Sequence, residues 1–207
     1  MKGLREIPPE FVTEAKEPSP WDFGNEVLYS LCLNEPSHQK EGAVIAKVWL
    51  IGRAYAAAIE RRRNKNGKND AFYVNEVAPA IIRSKIDAWI NEATLHKEIC
   101  DQSLPVILKA HYKVTQLFCD ISGLEKRSLA SKYLHFHQPQ LFYIYDTRAV
   151  TAMRKLSPIV GRDNTCNSSD KYCDIEYRKF SEKCLHLHRH IKEKFQTSLN
   201  PRQIDNL

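Results

Sequence analysis

Residues 121–150, ISGLEKRSLASKYLHFHQPQLFYIYDTRAV, decide how the rest of the chain is read. Ile121 and Leu124 flank Ser122-Gly123, so apolar side chains can pin two helices across a sharp turn that glycine permits. The spacing predicts a second helix over about 126–136, a turn at Pro139, and the apolar run Leu141-Phe142-Tyr143-Ile144. That run delivers one carboxylate, Asp146, to the start of another helix, where an aspartate is a good N-cap. Amides at the start of the second helix have no partner within it and suit an anion such as phosphate. Lys126, Arg127 and Lys132 put positive charge on or near that helix. An aspartate fixed by helix amides is rigidly aimed, and could stabilise an oxocarbenium-like sugar or activate a nucleophile.

Outward from this stretch the pattern is helical. A helix opens at Ser103-Leu104-Pro105, with Pro105 in its first turn, and carries Val106, Leu108, His111, Val114, Leu117 and Phe118 into the hairpin. The most periodic helix covers about 39–63, and its small residues Ala54, Ala56, Ala57 and Ala58 let a neighbour approach closely. It runs into Arg61-Arg62-Arg63-Asn64-Lys65-Asn66-Gly67-Lys68, more cations than a helix C-terminus needs for its dipole, so phosphate contact is weighed beside a solvated end. A third helical region covers 71–95 with Pro79 early in it, and another starts at Ser19-Pro20-Trp21-Asp22. Downstream come a helix over about 147–156, a polar loop over 161–170, a last helix over 172–195 and a polar tail from 197. Nothing alternates over many residues, although 141–145 suits a short extended piece. The fold class is therefore all-α: an extended or poorly ordered arm over 1–20, rich in proline, and one domain over 21–207.

Composition sets bounds. The chain has 207 residues, enough for a sizeable core, and its 43% hydrophobic and 27% charged residues are ordinary for a globular protein. No apolar run is long enough to span a membrane, and the start, MKGLREIPPEF, lacks a signal-peptide core, so a cytoplasmic location is expected. In that compartment the six cysteines are not expected to form a disulfide framework. The net charge of +6 permits a nucleic-acid partner without demanding one. His186 and His190 share a helix face at a zinc-ligand spacing, but no acid of the metalloprotease type lies between them, and no metal is expected. His135 and His137 are candidates for a polar contact to DNA; Tyr55, Tyr143 and Tyr145 are candidates for stacking on a displaced base, weighed against core packing.

The order of an apolar-Ser-Gly-apolar hairpin, a basic helix with Ala130-Ser131-Lys132-Tyr133-Leu134, and then Ile144-Tyr145-Asp146-Thr147-Arg148 resembles the helix-hairpin-helix DNA glycosylase superfamily. The likeness covers 117–150 and is closest to the 8-oxoguanine DNA glycosylase branch. It implies a two-lobed all-α fold that flips a damaged or modified base out of DNA and excises it. Asp146 matches the catalytic aspartate and Gly123 the first hairpin glycine. The lysine position of the members with lyase activity falls on Lys126, Arg127 or Ser128 according to register. Lys126 is the expected catalytic nucleophile, Lys132 a fallback one turn on, and Gly123, Arg127 and Lys132 the expected DNA-binding residues. Glu125 stands where the second hairpin glycine would be. Some members carry a four-cysteine iron–sulfur site; Cys166 and Cys173 have its first spacing, but only Cys184 follows, so no cofactor is expected. The resemblance admits a repair role or a role in anti-phage defence. It also admits a catalytically silent protein that binds nucleic acid or a protein partner.

Overall fold

The computed structural model describes residues 6–61, 69–161 and 172–207. Among them every regular element is a helix and there is no strand. Most of the basic run at 61–68 and the polar loop, with Cys166, lie outside the described residues.

The helix α8 (Arg127–His137) is the centre of the molecule. Residues 129–136 on it are all buried, a pattern that places a helix inside rather than on a surface. Three helices enclose it: α2 (Asp22–Asn34), α3 (Glu41–Ala54) and α7 (Leu104–Ser122). The hairpin is as its residues predict. Gly123 caps α7 at φ 72°, a left-handed conformation that glycine adopts without strain, and its amide donates to the Cys119 carbonyl at 2.7 Å. On one side of the centre, α9 (Thr147–Lys155) and α10 (Ser157–Val160) pack on α11 (Ile175–Phe195).

Four expectations are corrected. The long helix stops at Ala54, where the chain turns back: Ala57 N–H donates to Gly52 O at 2.7 Å, Ala56 N–H to Arg53 O at 3.3 Å, and Ala56 takes φ 50°. That is a Schellman ending with alanine in the glycine position, and Gly52 admits the returning chain because a Cβ there would meet Ala58 Cα at 3.0 Å. The region 71–95 is broken into α4 (Asn69–Phe72), a π-helical turn at Tyr73–Val77, α5 (Ala78–Arg83) and α6 (Ile86–Ala93). Pro79, with no amide to give, sits just after the π turn, where a widened turn relieves the ring's clash with the preceding carbonyl. The arm is not wholly extended: α1 (Pro9–Glu14) forms there, and Ile7, Val12 and Ala15 are buried. The polar tail contains α12 (Pro201–Asn206), started by a capping box between Asn200 and Gln203, with Leu199, Pro201 and Ile204 buried.

Buried polar groups cross the core between helices. His38 sits between the Asp87 carboxylate on α6, bonded to its Nδ1, and the Tyr133 hydroxyl on α8, 2.7 Å from its Nε2. Lys47, fully buried on α3, donates to the Glu35 and Ser37 carbonyls. Burial and Lys47 together push His38 down to about 4 despite Asp87; burial likewise holds His135 at about 4 and His111 at about 3.

Each of these histidines is neutral in the folded chain and titrates near 6.5 once unfolded, so the unfolded state takes up protons that the folded state refuses. Stability is therefore complete above pH 6.5 and falls as pH drops from 6.5 toward 4, by on the order of 3 kcal/mol for His38 alone. Urea denaturation at stepped pH measures it, and a midpoint flat across that window would refute it. At the two left-handed caps, Gly123→Ala should cost and Ala56→Gly should gain about 1 kcal/mol by the same measurement, since a Cβ at Gly123 would meet open space and change only the backbone strain, and Ala56 is exposed.

Candidate active site

Residues 141–145 bring Asp146 to its place. The segment is buried from Leu141 to Ile144 yet belongs to no helix, so its backbone polar groups need partners from side chains. His135 Nδ1 bonds the Phe142 carbonyl at 2.8 Å, Ser131 Oγ accepts the Tyr145 amide at 3.0 Å, and the Tyr177 hydroxyl donates to the Tyr143 carbonyl at 3.1 Å. Two of those partners are polar residues of α8, which thereby fixes the end of the segment over its own middle turn.

Asp146 is the N-cap of α9. Its Oδ1 accepts the Arg148 and Ala149 amides at 2.9 and 3.0 Å, while its Oδ2 faces the Lys132 ammonium at 3.3 Å. Lys132 also donates to Ser128 Oγ at 2.8 Å, one turn back on α8, and lies 5.7 Å from the centre of the Tyr55 ring, within cation–π range. The exposures are unequal, 1% for the Lys132 side chain against 31% for Asp146, so the site presents its carboxylate outward and keeps its amine behind it. Burial pushes Lys132 below the ordinary lysine range although Asp146 opposes the shift. Burial alone would raise Asp146, but the Ala149 amide, Lys132 and the Arg148 amide together hold it below the ordinary carboxylate value. The pair is thus a fixed anion and a desolvated amine, the state in which a lysine becomes a usable nucleophile.

The lysine that meets Asp146 is Lys132, not Lys126. Lys126 stands at the N-cap of α8 and donates to the Arg61 carbonyl at 2.7 Å. Lys132, expected as electrostatic support on a DNA-facing surface, is too buried for that role. Arg127 Nε bonds both carboxylate oxygens of Asp174, at 2.8 and 2.7 Å, and its Nη2 bonds Glu125 at 3.2 Å. Since Asp174 caps α11, Arg127 joins the starts of two helices. Gly123 is exposed at the hairpin turn. His135 and His137 do not face outward: His135 bonds the Tyr29 hydroxyl at 2.7 Å as well as Phe142, and the His137 ring lies 5.0 Å from His38. Tyr55 lies at the site and bonds Asn25 at 2.7 Å, Tyr143 belongs to the core, and Tyr145 packs on Phe180. No group of three or more histidine, cysteine or acidic side chains able to hold a metal ion comes together among the described residues.

Two residues of the site were not anticipated. Arg202 and Asp205, on α12, pair at 2.8 Å and interact electrostatically with Lys132, Asp146, Tyr29 and Tyr55. The signal was present in Asn200-Pro201-Arg202-Gln203, a capping-box pattern with proline at the first helical position. Beside the site, one residue beyond Asp146, a groove of about 480 Å³ runs between Ile7, Pro8 and Phe11 on one wall and Thr147, Arg148, Thr151 and Lys155 on the other.

Comparison with models of known families, with curated proteins and with solved structures finds no match to this chain.

Because Lys132 is the buried partner, removing Asp146 strands a charge, whereas removing Lys132 leaves a partly exposed and still capping carboxylate. Asp146→Asn keeps the cap and should cost about 3 kcal/mol at pH 7, less at higher pH where Lys132 deprotonates; Lys132→Met should cost about 1 kcal/mol or less. Denaturant unfolding of the two variants decides it, and equal losses would mean the ion pair is not the asymmetric element described.

Proposed function

We propose that this chain is a DNA glycosylase-like protein that releases a damaged or modified base from DNA, with Asp146 and Lys132 as its reacting pair. The observation that carries this reading is the desolvated Lys132 ammonium 3.3 Å from an Asp146 carboxylate pinned by the amides of α9. On this reading the deoxyribose approaches the exposed face of Asp146. The carboxylate stabilises the positive charge that develops at C1′ as the bond to the base breaks and its electron pair leaves with the base. In a purely hydrolytic enzyme, water then adds at C1′. In a lyase the deprotonated Lys132 nitrogen adds there instead, displacing the ion pair, and the nucleophile assigned from the hairpin register to Lys126 passes to Lys132.

Other features support the same reading. No side chain caps the start of α8, which leaves its first amides for a DNA phosphate, and the chain carries a net charge of +6. The groove beyond Asp146 is of the size that accepts small-molecule ligands. A two-lobed helix-hairpin-helix glycosylase fold, and a role in repair or in defence against phage, belong to this proposal.

A second reading, nucleic-acid or protein binding without catalysis, is favoured by the 1% exposure of Lys132 and the commitment of Arg127 to Asp174 and Glu125. Borohydride trapping on an abasic duplex, with base release from a panel of lesion-bearing duplexes, separates the two. The enzyme reading expects a covalent adduct that Lys132→Ala abolishes and Lys126→Ala preserves, and base release reduced roughly a hundredfold or more in Asp146→Asn. Salt-dependent duplex binding with no base released from any substrate would establish the silent reading instead.

A further inference from the structure

The groove beside Asp146 has a composition that base release does not call for. Ile7, Pro8 and Phe11 line it from the arm, and Ala152, Leu156 and Leu207 from the other side, an apolar surface around about 480 Å³. Pockets of that size and character hold small apolar ligands. The arm's wall is fixed in place, because Ile7, Val12 and Ala15 are buried and Glu6 pairs with Lys194 near the end of α11. On the α9 side Thr147, Arg148, Thr151, Ala152 and Lys155 are all exposed, and their three- and four-residue steps put them on one face of the helix. Arg148 and Lys155 stand two turns apart on that face, about 10 Å along the axis.

These two cations have nothing to neutralise them. Among the described residues no carboxylate side chain lines the groove, and neither Arg148 nor Lys155 pairs with one. Asp146 does not serve, since its oxygens meet the Arg148 and Ala149 amides and the Lys132 ammonium. Lys155 has a local reason for its position, because a cation in the last turn suits the helix dipole. Arg148 has none. In the first turn it stands at the positive end of α9, where an acid would be favoured. A guanidinium set against its own helix dipole, without an acid and beside apolar walls, matches an anion that carries an apolar body. The planar fork of arginine suits a carboxylate, which it can hold through two parallel hydrogen bonds.

We propose that this groove binds a small amphiphilic acid, with its carboxylate on Arg148 and its hydrocarbon chain along Ile7, Phe11 and Leu156. Lys155 adds a second, weaker attraction from the far end. A nucleic-acid backbone is a poorer occupant, because it would bring a row of phosphates against apolar walls that strip their water and return few hydrogen bonds. Neither Asp146 nor Lys132 lines the groove, so the proposal goes beyond the base-release reading and does not rest on it.

The test titrates dodecanoate, below its micelle-forming concentration, into the full chain labelled with ¹⁵N, with dodecanol as the neutral control. The expected result is one saturable site whose amide shifts cluster on Ile7, Phe11, Thr151 and Leu156, with dodecanol bound about tenfold more weakly. Arg148→Gln should lower dodecanoate affinity about tenfold and leave dodecanol unchanged, and Arg148→Lys should fall between. Ala152→Trp fills the groove from an exposed position and should abolish binding of both. Should that variant fail to fold, Arg148→Gln carries the test. Equal affinity for dodecanoate and dodecanol, or an Arg148→Gln chain that binds the acid as tightly as the native one, overturns the assignment of an acid. Shifts gathered instead on the exposed Trp21 and Phe23, or no saturation, overturn the site. A DNA duplex that moves the groove amides where dodecanoate does not overturns it in favour of nucleic acid. Borohydride trapping and base release read Asp146 and Lys132 alone, so a failure there leaves the groove's ligand standing, and the reverse holds too.

Discussion

Residues 141–145 cross the core without a helix or sheet to satisfy their backbone, and that constraint organises the molecule. Unpaired amides and carbonyls in a dry interior each cost free energy comparable to a lost hydrogen bond, so the surrounding helices must bring polar side chains inward. Ser131 and His135 on α8 and Tyr177 on α11 do this. It explains why the most buried helix of the protein is not uniformly apolar. It also couples distant elements, because His135 takes Tyr29 of α2 on its other nitrogen and Tyr133 of α8 takes His38. These bonds leave Asp146 one residue past the last fixed amide, at a position set by α8 rather than by the loop that carries it.

The electrostatics of the site follow from that placement. Lys132 is on the same inward surface of α8 and would be an uncompensated buried charge but for Ser128, Asp146 and the Tyr55 ring. Asp146 divides its two oxygens, one for the α9 amides and one for the lysine, so a single carboxylate both starts a helix and stabilises an ammonium. On the C-terminal helix Arg202 and Asp205 pair with each other at 2.8 Å, and Asp205 acts on Lys132 and Asp146 through charge alone.

Much of this was legible before any coordinates. Gly123 after an apolar helix, Pro105 in a first turn and Asp146 before Thr147 each predict a boundary through local chemistry, and each boundary stands where that chemistry puts it. The C-terminal helix was equally legible in Asn200 and Gln203, but a short polar segment gives no hydrophobic period to draw the eye. Two boundaries were not legible. Ala56 ends α3 in a left-handed conformation that alanine seldom adopts, so composition argued for a longer helix. The break at Ser84, between α5 packed on α3 and α6 packed on α7, follows no strong local stop.

The sequence by itself determined an all-α chain, a hairpin turning at Gly123 and a carboxylate capping the helix that follows 141–145. Local hydrogen bonding and backbone sterics suffice for all three. Only the tertiary structure decided which lysine meets that carboxylate. Helical period places Ser128 and Lys132 on one face of α8, but whether the face points to water or to the core depends on α2, α3 and α7 closing around it. Charged residues on a helix of ordinary polarity usually face solvent, so nothing within 126–136 revealed that Lys132 is buried and Lys126 is not its equivalent. Long-range packing placed Lys132 behind Asp146.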